Sequence, residues 1–405
     1  MAEARRAGDT DLSSATAACP LGVDLNALVR ASQQGDFDAA LGAVMSAHPW
    51  AMIMGDHCQR PCERAHGLPG DAEPINLSQL ERAAGALGNR SRFPFMPGSP
   101  TGKRVAIVGA GSASSAAAHR LRRHGHHVAL YDQLPVSGGM MFVGYPNFRL
   151  PLAVLRAENA VEAWGCEPHY GVHVDRALMD QLLAEYDAVI LGTGKFDEVH
   201  LDVPGEDLRG VWGALSFLTE FKLGKNPPTG RRVVVVGAGY TAQDSSRTCR
   251  RLGCDVTVFY RRTKDEMPLL PHLREMHIAR QIAEGAPYIF ETTVTRILGR
   301  DGMVSGVIAC RTRPDGSGGV ELVPGSEYEV ACDTVIEATG ERVDLSYVPE
   351  DVVIEGGHIK VDPQTWMTAR KGLFACGEMT GIPTTVQAFR TGFACGEAVH
   401  NYLSC

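Results

Sequence analysis

One feature narrows the fold of this 405-residue chain more than any other: a strand, glycine turn, helix and strand that occur twice. The first copy reads KRVAIVGAG, SASSAAAHRLRRHG, HHVALYD, and the second reads RRVVVVGAG, YTAQDSSRTCRRLG, CDVTVFYRR. Short valine- and isoleucine-rich runs that stop at a glycine turn predict buried parallel strands in βαβ units. The leading glycines, Gly109 and Gly237, stand 128 positions apart, and each helix closes at a glycine (Gly125, Gly253) sixteen positions further on. So regular a repeat predicts two Rossmann-like dinucleotide-binding domains in an α/β chain.

Composition fits this and excludes much else. The chain is 44% hydrophobic and 21% charged, as globular proteins are. Its 45 glycines exceed the usual share of about 7%. They follow no period, which excludes collagen and points to tight turns or close backbone approach. A net charge of −8 without a Lys/Arg block argues against a nucleic-acid partner. No run of 18 apolar residues predicts a membrane span. The opening MAEARRAGDTDLSSATAAC lacks a signal-peptide core, so a cytoplasmic location is expected. Eleven cysteines, an odd number in so long a chain, do not suggest a disulfide framework.

In the first unit, Gly109 and Gly111 allow a turn so tight that the helix N-terminus faces a pyrophosphate. Ser114 occupies the third fingerprint position, so helix and strand must accommodate a hydroxymethyl group. Asp132, closing the second strand, is placed to accept from an adenosine ribose. In the second unit Gly237, Gly239 and Ala242 complete the fingerprint, but Tyr260 replaces the acid, and Arg261 and Arg262 follow. A 2′-hydroxyl suits a carboxylate and a 2′-phosphate suits guanidinium forks, so the pair favours NADP(H) over NAD(H). NAD(H) stays open if Arg262 only caps a solvated edge.

Residues 1–18 read as a flexible arm, 19–89 as a small all-α domain, and 90–101 as a proline-rich linker. Helices are expected across DLNALVRASQQGDFDAALGAVMSA, INLSQLERAAGAL and, at the C-terminal end, TTVQAFRTGFACGEAVHNYL. Short strands are expected between 286 and 338. Cys19, Cys58 and Cys62 fall in the first 62 residues. Thiolates suit iron–sulfur clusters or zinc, and buried thiols are an equal alternative. There is no CxxC, which removes the redox dithiol of thioredoxin-reductase-like flavoproteins. Cys249, Cys254 and Cys376 read as packing thiols.

From Cys19 onward the chain resembles the small (beta) subunit of bacterial glutamate synthase and the matching N-terminal half of dihydropyrimidine dehydrogenase. The resemblance lies in CPLG, GDHCQRPCERAH, PINLSQLE, the GAG turn, SGGMMFVGYPNFRLP, YDAVILGTG, the GAGYTAQDSSRTCRRLG block with YRRTKDEMP, and GLFACGEM. It implies an FAD- and NAD(P)-dependent iron–sulfur oxidoreductase of glutathione-reductase-like architecture. An FAD domain would span 102–220 and 336–405, with the NAD(P) domain, 221–335, inserted in it. Residue by residue, the resemblance assigns Gly138 and Gly139 to a flavin-side loop and Gly194 to the crossing before the inserted domain. Gly377 and Glu378 stand where the family usually has Gly-Asp beside the flavin ribitol. Thr385 and Val386 fall at a helix N-terminus facing the flavin pyrimidine end.

Members typically carry two [4Fe–4S] clusters. Here the upstream CxxCxxxxC of the first is missing and its distal ligand falls at His66, so the resemblance implies that this cluster is lost. It implies one [4Fe–4S] cluster held by Cys19, Cys58, Cys62 and a non-cysteine ligand, Glu81; ligation by His66 is a minor alternative. Hydride transfer between nicotinamide and flavin needs stacking and dryness, so no catalytic side chain is nominated. The implied role is an electron-transfer subunit serving a larger catalytic subunit or a ferredoxin-like iron–sulfur subunit. A 2-oxoacid:acceptor oxidoreductase complex and the large glutamate synthase subunit are the candidate settings. A redox-silent nucleotide-binding scaffold is the non-enzyme alternative.

Overall fold

The computed structural model describes residues 12–65, 75–225, 227 and 229–405, so His66 and the first eleven residues of the expected arm lie outside the described residues. The chain divides into two compact units: Met1–Phe142, Phe148–Lys195 and Val343–Cys405 in one, Val143–Asn147 and Phe196–Arg342 in the other.

The first unit opens with the expected helices. Leu25–Gln34 and Phe37–Met45 are capped by Asp24 and Asp36, and Leu77–Leu87 by Asn76. Their three-to-four spacing turns Leu28, Leu41, Val44, Leu80 and Ala84 into one apolar core. Each leucine so buried contributes about 2 kcal/mol. The described end of the expected arm is ordered: Ser13–Ala18 is a helix, and Leu12 and Ala15 enter the same core. The Leu12 amide also donates to Asn26 Oδ1 (3.0 Å). The helical segment belongs to the same unit as the first nucleotide fold rather than forming one of its own.

That fold is a five-stranded parallel sheet in the order Leu373–Ala375, Ala188–Leu191, Arg104–Val108, His127–Asp132, Glu167–Tyr170. Its central strands are buried on both faces, which is why they read as unbroken apolar runs. The expected terminal helix is present as Thr385–Ser404.

The second unit holds another five-stranded parallel sheet, ordered Val211–Gly213, Thr334–Glu337, Arg232–Val236, Asp255–Tyr260, Tyr288–Phe290. An antiparallel sheet built on Thr292–Arg300 and Met303–Pro314 supplies most of the short strands expected after 286. The domain boundaries differ from those read in the sequence. Val211–Gly213 pairs with Thr334–Glu337, and Phe217 and Leu218 of helix Ala214–Lys222 pack with Val233 and Val235. Residues 196–220 and 336–342 therefore lie in the second unit; a three-residue strand carries too little periodicity to announce itself.

Candidate functional site

At the first turn Gly109 has φ 95°, and a Cβ there would lie 2.6 Å from the Gly192 carbonyl oxygen. Only glycine meets both demands. A second loop braces the turn: Gly138 N donates to Ala110 O (2.8 Å), and a Cβ on Gly139 would sit 2.7 Å from Gly111 Cα. Helix Ser112–Arg123 then starts at Gly111 with no side-chain cap. Where Asp24, Asp36, Asn76 and Asp175 cap the helices they precede, this helix leaves its first amides without a side-chain acceptor, as an anion site requires. Ser114 is fully buried, and its Oγ donates to Gly192 O at 3.2 Å. The hydroxymethyl group fits because residue 192, opposite, has no side chain.

Asp132 does more than await a ribose. Its Oδ2 accepts from Ala110 N (2.6 Å) and its Oδ1 from Leu134 N (2.8 Å). Burial pushes this carboxyl up, and the two amides pull it back. A carboxylate has about four acceptor positions, so capacity for a ribose hydroxyl remains. Gly194 is followed by Lys195, whose Nζ lies 2.6 Å from Glu378 Oε1, next to Gly377. That partner was not legible in sequence. Thr385 and Val386 open the terminal helix, where Thr384 makes no side-chain cap and its buried Oγ1 has no hydrogen-bond partner among the described residues. An orphaned hydroxyl at a bare helix terminus fits a polar ligand.

The second turn repeats the first. Gly237 has φ 135°, and a Cβ there would overlap the Ala338 carbonyl. Gly239 begins helix Tyr240–Arg251 without a side-chain cap, and Ala242 is fully buried. Tyr260 donates its hydroxyl to Glu266 O (2.6 Å). Arg261 is exposed; Arg262 is half-buried and donates Nη2 to Gly318 O (2.9 Å). One guanidinium faces solvent and the other is partly committed to a loop. In the same unit Lys222 is buried, donates to Tyr145 O (2.7 Å), and is pushed down to about 8 by desolvation.

Cys19, Cys58, Cys62 and Glu81 line one cavity, so the four positions named from sequence are brought together. Cys19 follows helix Ser13–Ala18, Cys58 closes Ala51–His57, Cys62 lies in Pro61–Ala65, and Glu81 projects from Leu77–Leu87. Backbone amides serve the sulfurs: Arg60 N donates to Cys58 Sγ (3.4 Å), and the amides of Val23, Leu21 and Gly22 face Cys19. Burial pushes Cys58 and Cys62 up to about 12 and raises Cys19 as well. Any cation must therefore displace thiol protons. His48 and Val386 are among the other residues that line it. His48 was missed in sequence, where a lone histidine before Pro49 and Trp50 carries no ligand spacing.

Among the described residues, the group of three histidine, cysteine or acidic donor atoms lying within 4.8 Å of one another is His200, Glu206 and Glu337, in the second unit. The cysteine-cavity donors stand wider. A single zinc ion, with Zn–S of about 2.3 Å, would draw its sulfurs to within about 4 Å. At the second-unit group, His200 Nδ1 already sits 2.6 Å from the buried Glu337 Oε2.

The cavity is held from the nucleotide fold of the same unit. Helix Ala51–His57 begins at Trp50 with no side-chain cap of its own. Buried Glu158 supplies one, accepting from Met52 N and Ile53 N, both at 2.9 Å. Trp50 is fully buried; its Nε1 donates to Asn159 Oδ1 (3.1 Å) and its ring packs on Phe389, centroids 4.0 Å apart.

Among the described residues no helix is long and apolar enough to cross a membrane. The pyridine nucleotide-disulphide oxidoreductase profile matches residues 103–392. The NADP(+)-dependent formate dehydrogenase subunit beta of Moorella thermoacetica is 32% identical over 95% of this chain, which spans only 59% of that protein's length. The glutamate synthase [NADPH] small chain of Escherichia coli (strain K12) is 33% identical over 85% of this chain and 78% of its own length. Thioredoxin reductase from T. acidophilum aligns with a TM-score of 0.58 at 22% identity, covering 74% of this chain and 98% of its own. That last likeness concerns the fold alone. With a family profile over most of its length and a small-chain relative at this identity, the chain belongs to the pyridine nucleotide-disulphide oxidoreductase family, in the branch that includes the glutamate synthase small chains.

Proposed function

We propose that this chain is an electron-transfer flavoprotein subunit that works with NAD(P)H, FAD and one [4Fe–4S] cluster. The observation that carries the reading is the shared cavity of Cys19, Cys58, Cys62 and Glu81, with Val386 from the terminal helix on its wall. The helix terminus assigned to the flavin and the cysteine site thus have one side chain in common. The soft donor set, its amide hydrogen bonds and its wide spacing fit an iron–sulfur cluster better than one zinc ion.

Gly109 and Gly111 would hold the FAD pyrophosphate, with Ser114 at the third position of the fingerprint, and Asp132 its adenosine ribose. Gly138, Gly139, Gly194, Gly377, Glu378, Thr385 and Val386 would line the flavin side. Gly237, Gly239, Ala242, Arg261 and Arg262 would hold NADP(H), with NAD(H) the weaker candidate. When bound, FAD supplies the exchange between two-electron hydride chemistry and one-electron transfer. The chain itself contributes bare helix termini that attract anions, a buried acid that locks the first turn, and a cavity that gathers the cysteines. None of these tasks needs a side-chain acid or base.

The partner is a larger catalytic subunit or a ferredoxin-like subunit. A 2-oxoacid:acceptor oxidoreductase complex is our first reading. A glutamate synthase large subunit is the alternative, favoured by the small-chain relative. Anaerobic purification with flavin, iron and sulfide analysis tests the proposal. About four iron per chain is expected; about eight contradicts the single cluster, and a colourless protein overturns the whole reading. Stopped-flow flavin reduction by NADPH and by NADH decides the nucleotide.

A further inference from the structure

We infer that His48 is a positioning residue for Glu81: its Nε2–H holds one carboxylate oxygen and leaves the other free to ligate. The inference rests on the cavity being a cluster site. His48 is 1% exposed and lines that cavity. Its Nδ1 accepts from Trp50 N (3.3 Å), which puts the proton of the neutral ring on Nε2. Nε2 lies 3.2 Å from Glu81 Oε1, within ion-pair range though not aligned as a hydrogen bond. That buried oxygen has no hydrogen-bond partner among the described residues, and the histidine nitrogen lies against it. A carboxylate can offer either oxygen or both, and a group that engages one selects the other. Ligating carboxylates and imidazoles are commonly held by such outer partners.

The support continues behind the ring. His48 stacks near Trp50 (centroids 6.2 Å, planes 18° apart), and Trp50 is pinned by Asn159 and Phe389. The geometry therefore links the first nucleotide fold to the one ligand that is not a cysteine. A donor on a ligand oxygen also favours the more negative, reduced cluster, so its loss lowers the midpoint potential.

The test uses the full chain, purified anaerobically and reconstituted with iron and sulfide. His48→Phe keeps a ring but removes the donor; His48→Gln restores an N–H; Glu81→Ala removes the ligand. Iron content, the rate of iron release to a chelator, the EPR spectrum of the reduced cluster and its potential are read. For H48F we expect a cluster that still forms on three cysteines, releases iron about 10–100-fold faster, shows altered g values and has a lower potential. H48Q recovers most of this, and H48F with E81A is no worse than E81A alone. If H48F lowers flavin content, the flexible, donor-free His48→Met repeats the test.

Wild-type release rate, spectrum and potential in H48F overturn the inference. So does an H48F defect larger than that of E81A and not rescued by H48Q, which makes the histidine itself the ligand. A wild-type chain that takes up no cluster overturns the cavity reading, and this inference with it; only in that case is the cluster absent before any substitution.

Discussion

The two glycine turns share a backbone and differ at their edges. Each starts with a glycine at positive φ and opens an uncapped helix of 12 residues from the middle strand of a five-stranded parallel sheet. At the first, the acid ending the next strand is turned inward and locks the turn through Ala110 N. At the second, the matching residue is Tyr260, tied to Glu266 O, and two arginines stand beyond it. The backbone of the turn is thus duplicated, while the residues at and just past the end of the second strand differ, and it is to these that our proposal leaves the choice of nucleotide.

The sharpest way to break this comparison is to spoil the turns one at a time. Gly109→Ala collides with Gly192 O and Gly237→Ala with Ala338 O. Strain of about 1–3 kcal/mol at such positions corresponds to roughly 10–100-fold in binding. G109A should purify without bound flavin yet still bind NADPH. G237A should keep its flavin and lose reduction by NADPH. Loss of both ligands in either variant would show that the turns do not act separately.

Next in size is the double substitution Arg261→Ala, Arg262→Ala. Losing charge-assisted bonds worth about 1.5–3 kcal/mol should raise the NADPH Kd by about 10–100-fold and leave NADH unchanged. R262A alone should do less, because that guanidinium already serves Gly318 O. Equal weakening of both nucleotides would remove the arginines from 2′-phosphate recognition.

Ser114→Ala is smaller again. It deletes the buried bond to Gly192 O, and the unfolding free energy in denaturant should fall by about 1 kcal/mol. No loss would mean that the serine is only tolerated at its fingerprint position.

The smallest effect is a pH dependence in the second unit. A hydrogen bond to Glu337 raises the pKa of His200, and burial foremost raises that of Glu337. For both groups the protonated form is favoured by folding. Their contribution is full below the unfolded values and fades as pH rises through the folded ones, for His200 from about 6.5 upward. The urea midpoint should therefore be higher at pH 6 than at pH 8.5, and His200→Gln should flatten the difference. His200 is half-exposed, so the change is slight.

Much of this architecture was legible in one sequence because its signals are local. Apolar runs ending at Gly109 and Gly237, and the three-to-four apolar spacing on both sides of Gly35, act within a few residues of themselves. The four donors Cys19, Cys58, Cys62 and Glu81 came from a family resemblance and are found around one cavity. What escaped were long-range partners. Lys195 meets Glu378, Glu158 meets the amides of Met52 and Ile53, and His48 reaches Glu81 across separate helices. No periodicity encodes such pairs. The boundary near 196 escaped for a related reason: Val211–Gly213 becomes a strand only because Thr334–Glu337 lies beside it.

The cap that Glu158 places on helix Ala51–His57 bears on how the protein matures. That helix ends at Cys58, and its starting amides are satisfied by a residue more than a hundred positions downstream. Until that downstream segment has been synthesised and folded, the loop carrying Cys58 and Cys62 lacks its anchor. The pocket proposed for the cluster is accordingly complete only after the first nucleotide fold has assembled, and a chain cut before residue 158 offers its thiols without that cap.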